Sequence, residues 1–234
     1  MNTYRETQPW GFTDYEIIEG SHITFETNVQ KVDFITNPHF GRILFLDGVL
    51  QSTSSDEHIY HEALVNAGMN SASRNVLIAG GAEGGVAREV LKRPYVKYVK
   101  MVDWDTDLVE HCFMREKFNV TAFEDKRLSY SNKNILNYCE ETQRTFDTVF
   151  VDLLDIGTED EFKKMKIILN WIYSVKGDYC TIVVNIGRDK SFAERIVALY
   201  GSQASQRQKS ESEIIQIHVP SFQEPWYLLK LFTM

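Results

Sequence analysis

Residues 76–85 read Val-Leu-Ile-Ala-Gly-Gly-Ala-Glu-Gly-Gly, and the segment Val86–Lys92 follows them directly. The apolar residues predict a buried strand, and the segment after the glycines predicts a helix. Gly80, Gly81 and Gly84 permit positive φ angles and let a ligand approach the backbone, while the start of the helix supplies unpaired N–H groups. Many α/β folds have such a turn, so the turn alone does not identify a ligand. It has no Walker lysine, so triphosphate chemistry is not expected.

Strand and helix patterns alternate on both sides of this turn. A helix is predicted from Asp56-Glu57 to Ala67, before the turn. After it the predicted elements are strands at Val96–Asp103, Phe146–Val151 and Tyr179–Val184, helices at Thr106–Phe118 and Glu161–Tyr173, and a closing antiparallel pair at Ile214–Val219 and Trp226–Phe232. This alternation predicts a Rossmann-like α/β fold with a doubly wound, mostly parallel sheet.

The first part of the chain has a different pattern. Short strand-like runs are separated by turn residues, and Asp47-Gly48 between Arg42–Leu46 and Val49–Gln51 is a strong hairpin signal. We therefore predict a small antiparallel β domain in residues 1–55 and an α/β domain in residues 56–234. Ser54, Ser55 or Asp56 is expected to cap the helix that opens the second domain.

Composition narrows the classes of function. The chain has 234 residues, of which 43% are hydrophobic, and a net charge of −8. It is therefore expected to be globular, and neither nucleic acid nor an anionic membrane is an expected partner. No apolar run approaches the roughly 20 residues that span a bilayer, and the first residues lack the apolar core of a signal peptide. The three cysteines, Cys112, Cys139 and Cys180, form no C-x-x-C pair. These features together predict a cytoplasmic protein with buried thiols.

Acidic residues follow two of the predicted strands. Asp103 ends the strand that comes about 20 residues after the glycine turn, where nucleoside-binding sheets place an acid against the ribose hydroxyls. Trp104, next to it, can lie along a flat base. The structural alternative makes Asp103 a helix cap and Trp104 a core residue. We favour the nucleoside interpretation because the glycine turn lies at the matching distance.

Asp152 and Asp155 follow the strand at Phe146–Val151. Carboxylates at the carboxyl end of a parallel strand face the ligand crevice, where they can accept a proton from an ammonium ion or hold a dication. The alternative is a helix cap and a solvated acid, and it explains Asp155 better than Asp152.

Several sequence blocks, taken in order, resemble the polyamine aminopropyltransferase (spermidine synthase) family. They are Leu46-Asp-Gly-Val-Leu-Gln51 with Asp56-Glu57, Tyr60-His61-Glu62, the turn Gly80-Gly-Ala-Glu-Gly-Gly85, and Arg88-Glu89-Val90. The resemblance covers roughly Tyr15 to Phe162. The blocks that precede the glycine turn are specific, because ordinary Rossmann methyltransferases lack them.

The resemblance implies transfer of the aminopropyl group of decarboxylated S-adenosylmethionine to a diamine, with putrescine as the usual acceptor and spermidine and methylthioadenosine as products. It implies a homodimer and a small-molecule diamine partner. The implied catalytic residues are Asp152, as general base, and Tyr60, which orients it. The implied co-substrate site consists of Gln30, Gly80, Gly81, Glu83, Gly84, Asp103, Trp104 and Asn132. The implied diamine site consists of His61, Asp155 and Trp226.

The chain also departs from the family pattern. Glu83 replaces an Asp, Asn132 replaces another Asp, and Asp152-Leu-Leu-Asp155-Ile-Gly157 keeps both acids of the gating segment without its prolines and hydroxyl residues. Two alternatives therefore stay open: an S-adenosylmethionine-dependent amine N-methyltransferase, and a catalytically weak regulatory homologue. His58 and His61 are spaced i, i+3 beside Glu62, but they complete no known metal-binding spacing, so no metal is expected.

Overall fold

A computed structural model describes residues 2–8, 11–116, 120–203 and 210–233. The first strands form two antiparallel sheets. A two-stranded sheet pairs β1 (Thr3–Gln8) with β2 (Gly11–Glu16), and a four-stranded sheet contains β3 (Ile23–Glu26), β4 (Lys31–Asn37), β5 (Gly41–Leu46) and β6 (Val49–Thr53). Asp47 and Gly48 join β5 to β6 with φ angles of 48° and 80°. Two positive φ angles are the geometry of a type I′ hairpin, as the Asp-Gly pair predicts.

The remaining strands form one seven-stranded sheet in the order β12-β13-β11-β10-β7-β8-β9. Its members are β7 (Asn75–Gly80), β8 (Tyr98–Asp103), β9 (Leu128–Asn132), β10 (Phe146–Asp152), β11 (Lys176–Gly187), β12 (Ser210–His218) and β13 (Pro225–Thr233). Strands β9, β8, β7, β10 and β11 are parallel, whereas β13 and β12 pair antiparallel at one side. The predicted fold class, including the small N-terminal antiparallel sheets, is confirmed.

Helices cover both faces of this sheet. They are α1 (Glu57–Gly68), α2 (Gly85–Leu91), α3 (Thr106–His111), α4 (Val120–Phe123), α5 (Ile135–Glu141), α6 (Glu159–Ser174) and α7 (Lys190–Gln203). Strand β7 shows why two layers form: Leu77 and Ala79 pack with α5, α6 and α7, while Val76 and Ile78 pack with α1 and α2. Both sets of side chains are fully buried. Since successive strand residues point to opposite faces, an apolar run such as this requires a cover on each side.

The first helix starts where the sequence predicts, but Asp56 does not cap it as expected. Asp56 is the residue before α1, and its side chain makes no capping hydrogen bond. Its carboxylate instead accepts hydrogen bonds from Thr53 Oγ1 (2.7 Å), Ser221 N (2.8 Å) and Ser221 Oγ (2.9 Å). Asp56 therefore joins the end of β6 to the 3₁₀ turn Pro220–Phe222, a contact that no local pattern reveals.

The helix predicted at Thr106–Phe118 changes type part-way. The α-helical part ends at His111, Cys112–Glu116 form a π-helical turn, and residues 117–119 lie outside the described residues. Glu116, on that turn, accepts hydrogen bonds from Arg42 Nε (2.7 Å) and Arg42 Nη2 (2.8 Å) on β5. This ion pair ties the four-stranded sheet to the α/β body beside α3.

Two further properties of the described residues concern membrane-spanning helices and the state of the cysteine thiols. No helix in the described ranges combines the length and the apolar character needed to cross a membrane. Cys112, Cys139 and Cys180 are buried free thiols. Burial raises the pKa of each of these thiols, to about 12 for Cys139 and Cys180, so they stay protonated at neutral pH.

Candidate active site

The glycine turn is shaped by how closely neighbouring elements approach it. Gly80, Gly81 and Gly84 have φ angles of 87°, 80° and 81°, in the left-handed region that favours glycine. A Cβ atom on Gly80 would lie 2.0 Å from the carbonyl oxygen of Asp152, and one on Gly85 would lie 2.4 Å from Cε1 of His61. The turn therefore brings the end of β7 against β10, and the start of α2 against α1, with no room for a side chain at either glycine.

A cavity of about 280 Å³ lies in front of this turn. The carboxyl ends of β7, β8 and β10 form one wall, as expected for a parallel α/β sheet. The opposite wall comes from the N-terminal strands and their turns, with Leu44, Leu46 and Leu50 as apolar parts. The predicted site residues that line this central cavity are Gln30, Tyr60, His61, Gly80, Gly81, Glu83, Asp103, Trp104, Asp152, Asp155 and Trp226.

Two predicted site residues are not among the residues that line the central cavity. Gly84 is buried at the N-terminus of α2, where its positive φ angle lets the chain turn into the helix. Asn132 ends β9 in register with Asp103 and is exposed. Asn132 therefore lies one strand beyond Asp103, outside the residues that line the cavity.

Asp152 and Tyr60 form the central pair of the cavity. Tyr60 is buried on α1, and its hydroxyl donates to Asp152 Oδ1 at 2.5 Å. Burial raises the pKa of Asp152, although the charge of His61 and the hydrogen bond from Tyr60 act in the opposite direction. Burial and the Asp152 charge raise the pKa of Tyr60 well above its usual value, so the phenol keeps its proton. One oxygen of Asp152 is thus occupied, and its carboxyl group has an increased proton affinity.

Asp155 is held by a residue that the sequence interpretation missed. Asn185 Nδ2, on β11, donates to Asp155 Oδ1 at 2.8 Å, and Trp226 Nε1 donates to Asn185 Oδ1 at 2.8 Å. Asn185 and Trp226 are buried, so this chain of hydrogen bonds is rigid. Burial raises the pKa of Asp155 to about 6, with the Asn185 hydrogen bond opposing it and the Asp152 charge adding to it.

Glu83 and Asp103 supply two further acids to the cavity. Ser52 Oγ donates to Glu83 Oε2 at 2.9 Å, and burial raises the pKa of Glu83. The backbone N–H of Asp105 donates to Asp103 Oδ1 at 2.9 Å. Burial raises the pKa of Asp103 to about 6 even though that hydrogen bond lowers it. Ser52, a buried hydroxyl on β6, is a second contact that the sequence interpretation missed.

His61 sits among these acids and is itself held by one. Its Nδ1 lies 2.5 Å from Glu57 Oε2, one turn earlier on α1, and Arg88 donates to both oxygens of Glu57 at 2.6 and 3.0 Å. Burial lowers the pKa of His61, but the Glu57 hydrogen bond and the charges of Glu83, Glu57 and Asp152 outweigh it and raise the pKa overall. Glu57 therefore fixes the ring of His61 and favours its charged form.

The cavity lining is strongly acidic. Its carboxyl groups belong to Glu57, Glu83, Asp103, Asp152 and Asp155. Among the described residues that line it, none is Lys or Arg, and His61 supplies the one titratable cation. A concave site lined by one sign of charge attracts ligands of the opposite sign. The geometry therefore suits a cationic ligand.

No metal site is indicated within the described ranges. They contain no cluster of three or more His, Cys, Asp or Glu placed to hold a metal ion. His58 is exposed, whereas His61 is buried and engaged by Glu57, so the two histidines of α1 do not converge.

Comparison with known proteins decides the family. The spermine/spermidine synthase domain model matches residues 57–233, which is most of the chain, and the spermidine synthase tetramerisation domain model matches residues 24–54. This chain belongs to the spermine/spermidine synthase family. The resemblance that the sequence blocks show is thereby confirmed.

Members of the spermine/spermidine synthase family are also found by sequence search. A polyamine aminopropyltransferase of Pseudomonas syringae pv. tomato is 35% identical over 159 residues, which cover 66% of this chain and 55% of that protein. One from Saccharolobus islandicus is 36% identical over 176 residues, covering 68% and 58% of the two chains. The chain thus spans little more than half the length of these curated relatives.

Solved structures support the fold of the family. The crystal structure of spermidine synthase from Thermotoga maritima has a TM-score of 0.79 and 22% identity, and the match covers 99% of this chain and 79% of that one. A spermidine synthase in complex with the transition state analogue AdoDATO gives 0.76 and 22%, with the same coverage. At this identity the structural match establishes the common fold.

Proposed function

We propose that this chain is a polyamine aminopropyltransferase, which transfers the aminopropyl group of decarboxylated S-adenosylmethionine to a diamine, putrescine by preference. The main observation in support of this activity is the Tyr60–Asp152 pair, which lies inside a cavity whose described lining contains carboxyl groups and no Lys or Arg. The curated relatives named polyamine aminopropyltransferase support the same activity.

The chemistry of the lining fits the decarboxylated co-substrate. That molecule carries a sulfonium and an ammonium and has no carboxylate, so every charge on it is opposite to Glu83, Asp103 and Asp152. Ordinary S-adenosylmethionine carries a carboxylate, which would lie among these acids with no described Lys or Arg in the lining to pair with it. An uncompensated charge of this kind is costly in a partly buried site. The lining therefore supports aminopropyl transfer over the alternative of N-methylation.

The residues of the chain are suited to prepare an amine for attack. An ammonium ion must lose a proton before its nitrogen can displace the thioether leaving group. We assign the proton to Asp152, since burial raises the pKa of its carboxyl and the Tyr60 hydroxyl holds Oδ1 in place, which leaves Oδ2 to face the amine. Asp155, fixed by Asn185, would hold the same ammonium from the other side. Alignment of the nucleophile with the reacting carbon accounts for much of the remaining rate.

The remaining assignments follow the family resemblance. Asp103 would accept the ribose hydroxyls, Trp104 would cover the base, and Glu83 would hold the aminopropyl ammonium. Asn132, one strand beyond Asp103, would accept a hydrogen bond from the adenine amino group, and His61 and Trp226 would border the diamine. Each of these roles is a proposal that a single substitution tests.

Assembly is proposed to be a homodimer that forms through the N-terminal strands. The match of residues 24–54 to a tetramerisation domain supports self-association of this region. Just before that segment, Phe12, Ile18 and Ile23 are large apolar residues left 61%, 48% and 41% exposed. Light scattering after size exclusion would give the mass, and a monomer would contradict the proposal. The division of the chain into residues 1–55 and 56–234 also stays a proposal.

Mass spectrometry of reaction products tests the proposed activity. Purified protein is incubated with a panel of amines and with either decarboxylated or ordinary S-adenosylmethionine. We expect an aminopropylated diamine with the decarboxylated form, and loss of product in Asp152→Asn without loss of nucleoside binding. Asp147→Asn, on the same strand but bonded to Arg74 N and Asn75 N away from the cavity, controls for removal of an acid. A methylated amine would overturn the proposal, and absence of any product would favour a regulatory homologue.

A further inference from the structure

Asp105 lies just behind the cavity and receives hydrogen bonds from both parts of the molecule. It is 3% exposed. Its Oδ2 accepts from Gln30 Nε2 at 2.7 Å and from Thr27 Oγ1 at 3.0 Å, both in the turn between β3 and β4. Its Oδ1 accepts from Leu108 N at 3.2 Å, in the first turn of α3. One carboxylate therefore docks a turn of the N-terminal sheet onto a helix of the α/β body.

The turn that carries Gln30 is itself well fixed. The backbone N–H of Thr27 donates to the carbonyl of Gln30 at 2.9 Å, and Thr27 Oγ1 accepts from Val29 N and Gln30 N at 3.0 Å each. A turn closed by its own side chain has little freedom to reorient. The orientation of the Gln30 side chain is therefore decided by its one distant partner, Asp105.

The chemistry of that partner settles which end of the Gln30 amide faces the ligand. A carboxylate accepts hydrogen bonds and does not donate them, so only the NH₂ group of Gln30 can face Asp105. The carbonyl oxygen, on the other branch of the amide, is then directed away from Asp105. Gln30 lines the central cavity together with Asp103 and Trp104. Were the amide reversed, its NH₂ group would bring a partial positive charge to the same wall.

We propose that Asp105 is a positioning residue that holds Gln30 with its carbonyl oxygen towards the cavity, and that this oxygen discriminates in favour of a cationic nucleoside. The choice of ligand rests on the proposed function, whereas the orientation of Gln30 rests on the contacts above. In the proposed reaction the co-substrate is a cation and methylthioadenosine, its nucleoside product, is neutral. The same orientation would therefore favour binding of the co-substrate over retention of the product.

The test compares the affinities of two nucleosides by calorimetry. Decarboxylated S-adenosylmethionine and methylthioadenosine share the adenosine part, and their affinity ratio reports recognition of the positive charge. In Asp105→Asn the new amide can donate to Gln30 and allow the reversed orientation. We expect this variant to reduce the ratio by about tenfold, the size expected when a hydrogen-bonding group meets a charge. Asp107→Asn removes an exposed acid from the same helical turn and should leave the ratio unchanged.

A second substitution separates orientation from a direct effect of charge or a loss of structure. Gln30→Met leaves Asp105 in place and removes the amide, so it should reduce the ratio by itself. Adding Asp105→Asn to Gln30→Met should then have no further effect on the ratio, because no amide is left to orient. A full additional loss in the double variant would overturn the inference, and so would an unchanged ratio in Gln30→Met. If the wild-type protein binds neither nucleoside, the proposed function fails and the inference fails with it; if it binds both and Asp105→Asn leaves the ratio unchanged, the inference alone fails.

Discussion

Replacing Tyr60 by Phe removes a single hydroxyl from the central cavity, and we expect it to move the acidic limb of the pH–rate profile upwards. In the wild-type protein the hydroxyl donates to Asp152 Oδ1 at 2.5 Å, and this hydrogen bond favours the ionised carboxylate. Without it, the burial that raises the pKa of Asp152 is opposed only by His61. Asp152 then stays protonated to higher pH, and a protonated acid cannot accept the proton that the proposed function assigns to it.

The size of the shift follows from the strength of the lost contact. A hydrogen bond to a charged group contributes about 1.5–3 kcal/mol. One pKa unit corresponds to about 1.4 kcal/mol, so the limb should move by roughly 1–2 pH units. The ring of Tyr60 packs against His61 and Phe222, with centroids 5.2 and 5.9 Å away. Phe fills the same space, which limits the change to the hydroxyl.

Initial rates give the profile directly. kcat/KM for putrescine is measured from about pH 5 to about pH 9 at saturating decarboxylated S-adenosylmethionine. Tyr200→Phe serves as the matched control, because its hydroxyl donates to Asn170 Oδ1 at 3.1 Å between α7 and α6, away from the cavity. If the acidic limb of Tyr60→Phe coincides with that of wild type, or if the control moves equally, Asp152 is not the group whose ionisation limits the reaction.

Three further outcomes are expected. Gly85→Ala should lower the free energy of unfolding in denaturant by about 1–3 kcal/mol, because the added methyl would meet the ring of His61, which Glu57 holds in place. Gly157→Ala is the control and should change stability little, because the nearest atom to the added methyl lies 3.6 Å away on the side chain of Glu161. Asp103→Asn should weaken binding of decarboxylated S-adenosylmethionine by about tenfold in calorimetry and leave kcat at saturation largely intact, and an unchanged affinity would misplace the ribose contact. Between about pH 4 and pH 6 the contribution of Asp103 and Asp155 to the free energy of unfolding should fall as pH rises. The reason is that the folded pKa of about 6 for Asp103 and Asp155 lies above the unfolded value, so the native state binds more protons in this window. Urea titrations of wild type and of Asp155→Asn at several pH values measure the contribution of Asp155 as the difference between the two slopes; equal slopes would show that the pKa of Asp155 is not raised.

The elements built on local periodicity are the ones that the sequence predicts well. The strand–glycine–helix order of residues 76–92 appears as β7 and α2, and the predicted closing pair appears as β12 and β13. Apolar runs, glycine turns and the Asp-Gly hairpin each act within a few residues, so a single sequence contains their physical cause. The position at which each parallel strand ends is likewise set by local sequence. This is why the sequence predicts that Asp103 and Asp152 face the same crevice.

The contacts that hold those acids could not be predicted in the same way. Asn185 and Asp155 are 30 residues apart, Ser52 and Glu83 are 31 apart, and Gln30 and Asp105 are 75 apart. Nothing in the local sequence links such partners. One signal was available: Asn185 is a polar residue inside an otherwise apolar strand core, and a buried amide requires a hydrogen-bond partner. Asp56 is an example of a misleading local signal. Its position before α1 suggests a helix cap, but its carboxylate accepts a hydrogen bond from the distant Ser221.

The acidic lining of the central cavity has a consequence for the energetics of ligand binding. Asp103 and Asp155, with pKa values of about 6, are partly protonated just below neutrality. A cation that settles beside them lowers those pKa values, so protons leave the protein and are taken up by the buffer. The measured heat of association should then vary with the ionisation enthalpy of the buffer chosen, and apparent affinity should strengthen as the solution becomes more alkaline. In this way the binding of a cation in the cavity would be coupled to the release of protons.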